Sequence, residues 1–228
     1  MTLSIIVRAG GTEPLLAETL DCLMDLKDLD CEIIVTGPRD PAGAGQTVLD
    51  GRQWRYPVYY LAVPSDAKPG ACLNAALRLA RGEYMTFLQA GTTLSPTWLI
   101  GAVRALAQSP GSWCYSAASV RGSQNTLPPK GWPDFKKSGR IFSDILVGGV
   151  SPQTAVLPRE RLSQLGGFDE DLSALVEEEL LLRLSLTEPA RYSSAPFVEV
   201  YPPDRTSLGA LVTRCYWMTE FLGTLERA

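Results

Sequence analysis

An α/β domain, with a mostly parallel mixed sheet covered by helices on both faces, is predicted by three observations. Short apolar runs rich in β-branched residues alternate with stretches of helical spacing through the first half of the chain. The runs are continuous rather than alternating, as in strands buried on both faces. Each pair of runs is separated by enough residues for a crossover helix, which parallel neighbours require.

Taken in order, Leu3 to Val7 (LSIIV) predicts the first strand. Thr12, with Glu13 and Pro14 opening the next turn, predicts a helix start, and Leu15, Leu16, Thr19, Leu20 and Leu23 keep helical spacing. Cys31 to Thr36 predicts a second strand ended by Gly37-Pro38, and a loop from Pro41 to Gly45 leads to a short helix near Gln46 to Gly51. Val58 to Val63 predicts a third strand. Ala71 to Arg81 predicts a helix with Gly82 as its C-cap. Tyr84 to Leu88 predicts a fourth strand, and Ser95-Pro96 starts a helix that runs to about Gln108 and stops at Pro110-Gly111.

The second half is less regular. Trp113 to Val120 and Thr154 to Leu157 predict strands, Glu177 to Leu186 a helix, and Phe197 to Tyr201 an extended segment. Between Arg121 and Gly149 lies a Gly-, Pro-, Ser- and Lys-rich stretch, the kind of long connection that carries function in a compact domain. From Ser207 a helical stripe of Leu208, Leu211, Cys215, Met218, Leu222 and Leu225 is expected, with Trp217 and Phe221 outside it. Two units are therefore expected, a domain over residues 1–205 and a C-terminal helix over 206–228 that either covers its own sheet or forms a homodimer interface.

Composition narrows the chemistry. The 228 residues are 45% hydrophobic and 20% charged with a net charge of −4, which argues against coating nucleic acid. No apolar run reaches the ~20 residues of a transmembrane helix. There is no histidine, so imidazole triads, imidazole acid–base chemistry and His-ligated metal sites are excluded. Cys22, Cys31, Cys72, Cys114 and Cys215 form no CxxC pair and are read as reduced core thiols. With an apolar run at Leu3 and no basic leader before it, a cytoplasmic location is expected.

Several segments, in order, resemble the family 2 glycosyltransferases of GT-A fold. Ser4-Ile5-Ile6-Val7 and Glu32-Ile33-Ile34-Val35 match its first two strands. Lys68 to Leu77, followed by Ala80-Arg81-Gly82-Glu83-Tyr84, is similar to its "Arg-Asn-x-Gly…Ala-x-Gly-Glu-Tyr" segment, and Phe87-Leu88 to its "Phe-Leu-Asp-x-Asp". Gly166-Gly167-Phe168-Asp169-Glu170 and Glu177 to Leu184 resemble its "Gly-Gly-Phe-Asp-Glu" and "Glu-Asp-x-Asp-Leu-x-Leu-Arg". The resemblance implies transfer of a hexosyl group from a nucleotide-sugar, such as a UDP-sugar, to a carbohydrate or lipid acceptor.

The site departs from that pattern. The carboxylate that would bind the donor base falls at Thr36-Gly37-Pro38-Arg39, and the Arg before the family's Asn is Leu73, although Asn74 remains. The acidic triplet that would hold Mg²⁺ or Mn²⁺ reads Gln89-Ala90-Gly91, so no metal cofactor is expected. Glu177 falls on the catalytic base, or else belongs to a solvated first helical turn with Glu178 and Glu179.

Arg8, Arg39 and Lys68 fall at the carboxyl ends of strands, where open α/β sheets bind ligands. They read either as a direct anion site or as ordinary loop charges. Thr36, Gly37, Asn74, Gln89 and Gly91 would line the donor, and Trp132 and Phe135 would face the acceptor sugar or belong to the core. A non-catalytic module that keeps the fold for binding or assembly is the alternative function. A nucleotidyltransferase with a phosphate loop at Ala9-Gly10-Gly11-Thr12 is a third.

Overall fold

A computed structural model describes residues 1–9, 13–39, 44–120, 126–127, 137–146 and 150–200. The C-terminal segment, the loop carrying Trp132 and Phe135, and Gly10 to Thr12 lie outside the described residues.

The first half is strand and helix in alternation: β1 (Leu3–Arg8), α1 (Glu13–Leu23), β2 (Cys31–Pro38), α2 (Ala44–Asp50), β3 (Val58–Val63), α3 (Pro69–Leu79) and β4 (Tyr84–Gln89). There follow β5 (Thr93–Leu94), α4 (Pro96–Ala107), β6 (Trp113–Val120), β7 (Thr126–Leu127) and α5 (Phe142–Leu146). The described chain closes with β8 (Ala155–Pro158), α6 (Arg159–Gln164), α7 (Val176–Thr187) and β9 (Ala190–Val200).

One mixed sheet runs β3-β2-β1-β4-β8-β6-β9-β5, with β7 beside β6. β1 to β4 are mutually parallel. The order turns around β1, whose neighbours are β2 and β4, so the carboxyl ends of β1 and β4 flank a topological switch point. β8 then pairs antiparallel to β4 and β6 antiparallel to β8.

The predominantly apolar β1, β2 and β4 are explained by two cores, one on each face. Leu3, Ile5, Val7, Ile33 and Val35 join residues of α1 and α4 on one side. Ile6, Ile34, Met85 and Phe87 join Leu73 and Ala76 of α3 and Leu180, Leu181 and Leu184 of α7 on the other. Each large side chain so buried contributes about 1.5–3 kcal/mol, and Trp98 and Trp113 are among the largest fully enclosed.

Three expectations are corrected. Gly82 is not a C-cap: α3 ends at Leu79 and Ala80 turns out in extended conformation. Gly82 is required because a Cβ there would run into the backbone of Leu3 and Ser4, and its N–H donates to Ser4 Oγ at 2.8 Å. β2 does not stop at Thr36 but runs on through Gly37 to its end at Pro38, since both residues pair with β3. Among the described residues the pairing of β1 with β2 ends at Arg8 and Thr36, so Pro38 has no β1 partner there that requires an N–H. Finally, β9 begins at Ala190 rather than Phe197, because Arg191, Tyr192 and Ser193 pair alongside β6 despite their polar faces.

Candidate functional site

The site is built on one cross-strand row. Arg8 at the end of β1 is in register with Thr36 of β2 on one side and Gln89 of β4 on the other. Two residues earlier in each strand, Ile6, Ile34 and Phe87 face the core beneath α3 and α7. Strand alternation therefore puts Arg8, Thr36 and Gln89 on that same face. Adjacent strands lie about 4.8 Å apart, so the three polar side chains stand side by side at the switch point.

Above the row sits Glu177. Its Oε1 lies 3.1 Å from the Arg8 guanidinium, and the two side chains are only 18% and 27% exposed. Glu177, on the first turn of α7, and Arg8, at the end of β1, are therefore both partly buried and paired with each other. The Cys72 thiol on the first turn of α3 is also close: burial pushes its pKa up, and the Arg8 charge pulls the other way. Thr36 is 1% exposed, and its hydroxyl has no hydrogen-bond partner among the described residues. A buried hydroxyl left so costs about 1–3 kcal/mol.

The three successive glutamates of α7 are sent to different places by the helical turn. Glu179, 3% exposed, is gripped by both arms of Arg183. The same guanidinium donates to the carbonyls of Leu165 and Gly167, each at 2.7 Å. This clasp fixes the loop that enters α7. That loop passes Gly166 and Gly167, at φ +83° and +76°, and reaches Leu175 at φ 58°, ψ 29°. A left-handed non-glycine residue costs of order 1 kcal/mol or more. Here it aims the first turn of α7, with Glu177 on it, back over the sheet.

Asn74 holds the loop from the other side. Its amide donates to the Phe168 carbonyl at 2.9 Å and to Glu170 at 2.8 Å, while its carbonyl accepts from the Phe168 N–H at 2.8 Å. Gly70 allows the close approach, since a Cβ there would run into the Asp169 carbonyl oxygen. Lys68, extended just before α3, donates to the Asp171 carbonyl at 3.1 Å. Asn74 and Lys68 thus hold the platform under Glu177.

The remaining expected donor residues lie along the same rim. Gly37 is covered by Tyr60, whose hydroxyl donates to the Pro38 carbonyl at 3.0 Å. Arg39 is exposed and its N–H donates to the Val63 carbonyl at 2.8 Å. Gly91 takes φ +94°, and its N–H meets Leu15 O and Thr19 Oγ1, both at 2.9 Å. The Thr92 hydroxyl is taken by Gln153. After β4 the chain therefore offers the Gln89 amide and backbone groups. Among the described residues no three His, Cys, Asp or Glu side chains stand together as a metal-binding group.

Leu175, Tyr60 and the Glu179–Arg183 clasp carry no site expectation from the sequence, and Cys72 is expected there only as a core thiol. The spacing of Glu179 and Arg183, one helical turn apart, was the signal available for the clasp.

The Glycosyl transferase family 2 model matches residues 4–166. No curated protein sequence matches the chain. Among solved structures, S. aureus TarS 1-349 is 20% identical at a TM-score of 0.69, over 90% of this chain and 61% of that one. Its complex with UDP-GlcNAc gives a TM-score of 0.70 at 20% identity, over 89% of this chain and 59% of that one. The mannosyltransferase PcManGT from Pyrobaculum calidifontis, in complex with GDP-Man and Mn²⁺, gives 0.62 at 21% identity, over 90% and 58%. The chain spans about three fifths of the length of these structures, and at such identities the likeness speaks for the GT-A fold.

Proposed function

The chain belongs to glycosyltransferase family 2, and from that premise we propose that it transfers a hexosyl group from a nucleotide-sugar to a carbohydrate or lipid acceptor without a divalent metal. The observation that carries this is the position of Glu177, a carboxylate over the switch point and 3.1 Å from Arg8.

Glu177 acts as the general base. It takes the proton of the acceptor hydroxyl as that oxygen attacks the anomeric carbon in line. The new carbon–oxygen bond forms as the bond to the donor diphosphate breaks. The nucleoside diphosphate leaves with the electron pair, and the proton stays on the carboxylate. Trp132 and Phe135 are proposed acceptor contacts, because flat aromatic faces suit sugar rings.

The metal-independent part of the reading rests on donor chemistry. Mg²⁺ and Mn²⁺ favour several hard oxygen ligands, carboxylates above all. Gln89, Ala90 and Gly91 offer one neutral amide side chain, the Thr92 hydroxyl is engaged with Gln153, and Glu177 is engaged with Arg8. This set does not fit a divalent ion, and no step is routed through one. The described cysteines are unpaired, in keeping with a proposed cytoplasmic location. Among the described residues no helix is long and apolar enough to cross a membrane.

The test is release of nucleoside diphosphate from a panel of UDP- and GDP-sugars, with EDTA and with added Mn²⁺. Turnover of at least one donor in EDTA is expected. Turnover that appears only with Mn²⁺ overturns the metal-independent part. The Arg8–Glu177 pair also favours a second reading, a binding module whose base is held shut; binding of a donor with no release under either condition would select it.

A further inference from the structure

We propose that Thr36, Arg8 and Gln89 form a row of donors for a diphosphate group, and that Glu177 stands in for that anion on Arg8 until it binds. The proposal rests on the nucleotide-sugar reading and adds to it the identity of the phosphate-binding side chains and their coupling to the base.

Three observations converge. The residues are consecutive across three parallel strands, in register at the switch point. They offer a hydroxyl, a guanidinium fork and an amide, each able to donate to phosphoryl oxygen, and the fork matches phosphate in geometry as well as charge. The Thr36 hydroxyl is buried without a partner among the described residues, beside the one guanidinium of the row. Such a hydroxyl at a ligand-binding edge is accounted for if it donates to the ligand.

The ion pair itself adds a fourth observation. A carboxylate oxygen already rests 3.1 Å from the Arg8 guanidinium, so the fork is within reach of an oxyanion. A diphosphate carries more negative charge than one carboxylate and presents several oxygens to the row. It therefore displaces Glu177 from Arg8, and the freed carboxylate becomes available to the acceptor hydroxyl. Donor binding and release of the base become one event. The exposed Arg39 and the half-exposed Lys68 add positive potential along the same rim.

Opposite effects are expected for the two members of the pair. Calorimetry in EDTA would titrate inorganic pyrophosphate, UDP and GDP into the full chain and its variants, with circular dichroism to check folding. Wild type binds pyrophosphate. Arg8→Gln weakens binding by about tenfold or more, since a charge-assisted fork is lost. Thr36→Val, close to it in shape, weakens binding about threefold or more. Glu177→Gln tightens it several-fold, because the internal competitor has lost its charge. Should Arg8→Gln not fold, Arg8→Lys keeps the charge without the fork and is expected to bind several-fold less tightly.

No binding of pyrophosphate to wild type, or binding unchanged by the Arg8 variant that folds, overturns the row. Weakened binding to Glu177→Gln overturns the exchange. Nucleotide binding that survives loss of Arg8 leaves the nucleotide-sugar reading standing without the row. Arg8-dependent pyrophosphate binding with no gain from uridine or guanosine leaves the row and removes that reading.

Discussion

Arg8 and Glu177, from the first strand and the last described helix, meet at 3.1 Å over the carboxyl ends of the parallel strands. Both are largely withdrawn from water, which sets this pair apart from a surface ion pair worth about 0–1 kcal/mol. A double-mutant cycle of Arg8→Gln and Glu177→Gln, followed by urea unfolding, is expected to give a coupling energy of about 1–3 kcal/mol. A coupling near zero would mean that the two side chains do not meet in solution.

Glu177→Gln is expected to lower turnover by about 10²- to 10⁴-fold, the span of a lost general base. Donor affinity should not fall with it. The measurement is single-turnover release of nucleoside diphosphate under saturating donor, alongside a binding titration. Loss of rate that tracks loss of binding would remove the carboxylate from the role of base.

The platform beneath Glu177 should be sensitive to changes that keep shape and alter hydrogen bonding. Asn74→Asp turns a donor into an oxygen facing the Phe168 carbonyl and the Glu170 carboxylate. It is expected to cost about 3 kcal/mol in urea denaturation. Asn74→Ala is expected to cost about 2 kcal/mol by leaving the Phe168 N–H and carbonyl unpaired. If Asn74→Asp is the milder of the two, the amide orientation is wrong.

Much of this was legible in the sequence. The apolar runs, the turn residues and the crossover lengths place β1 to β4 and their helices, because strands buried on both faces, as β1, β2 and β4 are, have to be mostly apolar. The edge strand β3 is half-exposed, and the buried Glu32 is accommodated by the Ser4 hydroxyl. The location of Arg8 at a strand end follows from the same reading. Its partner does not, since pairing with Glu177 depends on how α7 is aimed by Leu175, Gly167 and the Arg183 clasp. Glu177, Glu178 and Glu179 look alike in sequence, and only their angular positions on the helix separate rim from core. Gly82 was misread for a related reason: close backbone approach and helix capping both select glycine, and a sequence alone does not distinguish them.

Alkaline stability should report on a buried thiol. Burial, reinforced by the charges of Asp30 and Glu32, pushes Cys31 from 9.0 up to about 12. The folded chain then holds this proton more tightly than the unfolded chain. The stabilisation is full below about pH 9 and is lost as pH rises towards about 12. Cys31→Ala is expected to flatten the fall in Tm over that window, as followed by differential scanning fluorimetry. A slope equal to wild type would show that Cys31 does not titrate there.

The most direct test of the central claim is a crystal structure of the chain with UDP in the presence of EDTA. The account predicts diphosphate oxygens on the Arg8 guanidinium and the Thr36 hydroxyl, with Glu177 turned away from Arg8. A diphosphate bound away from Arg8, or one bound only when Mn²⁺ is supplied and held beside Gln89, would contradict it.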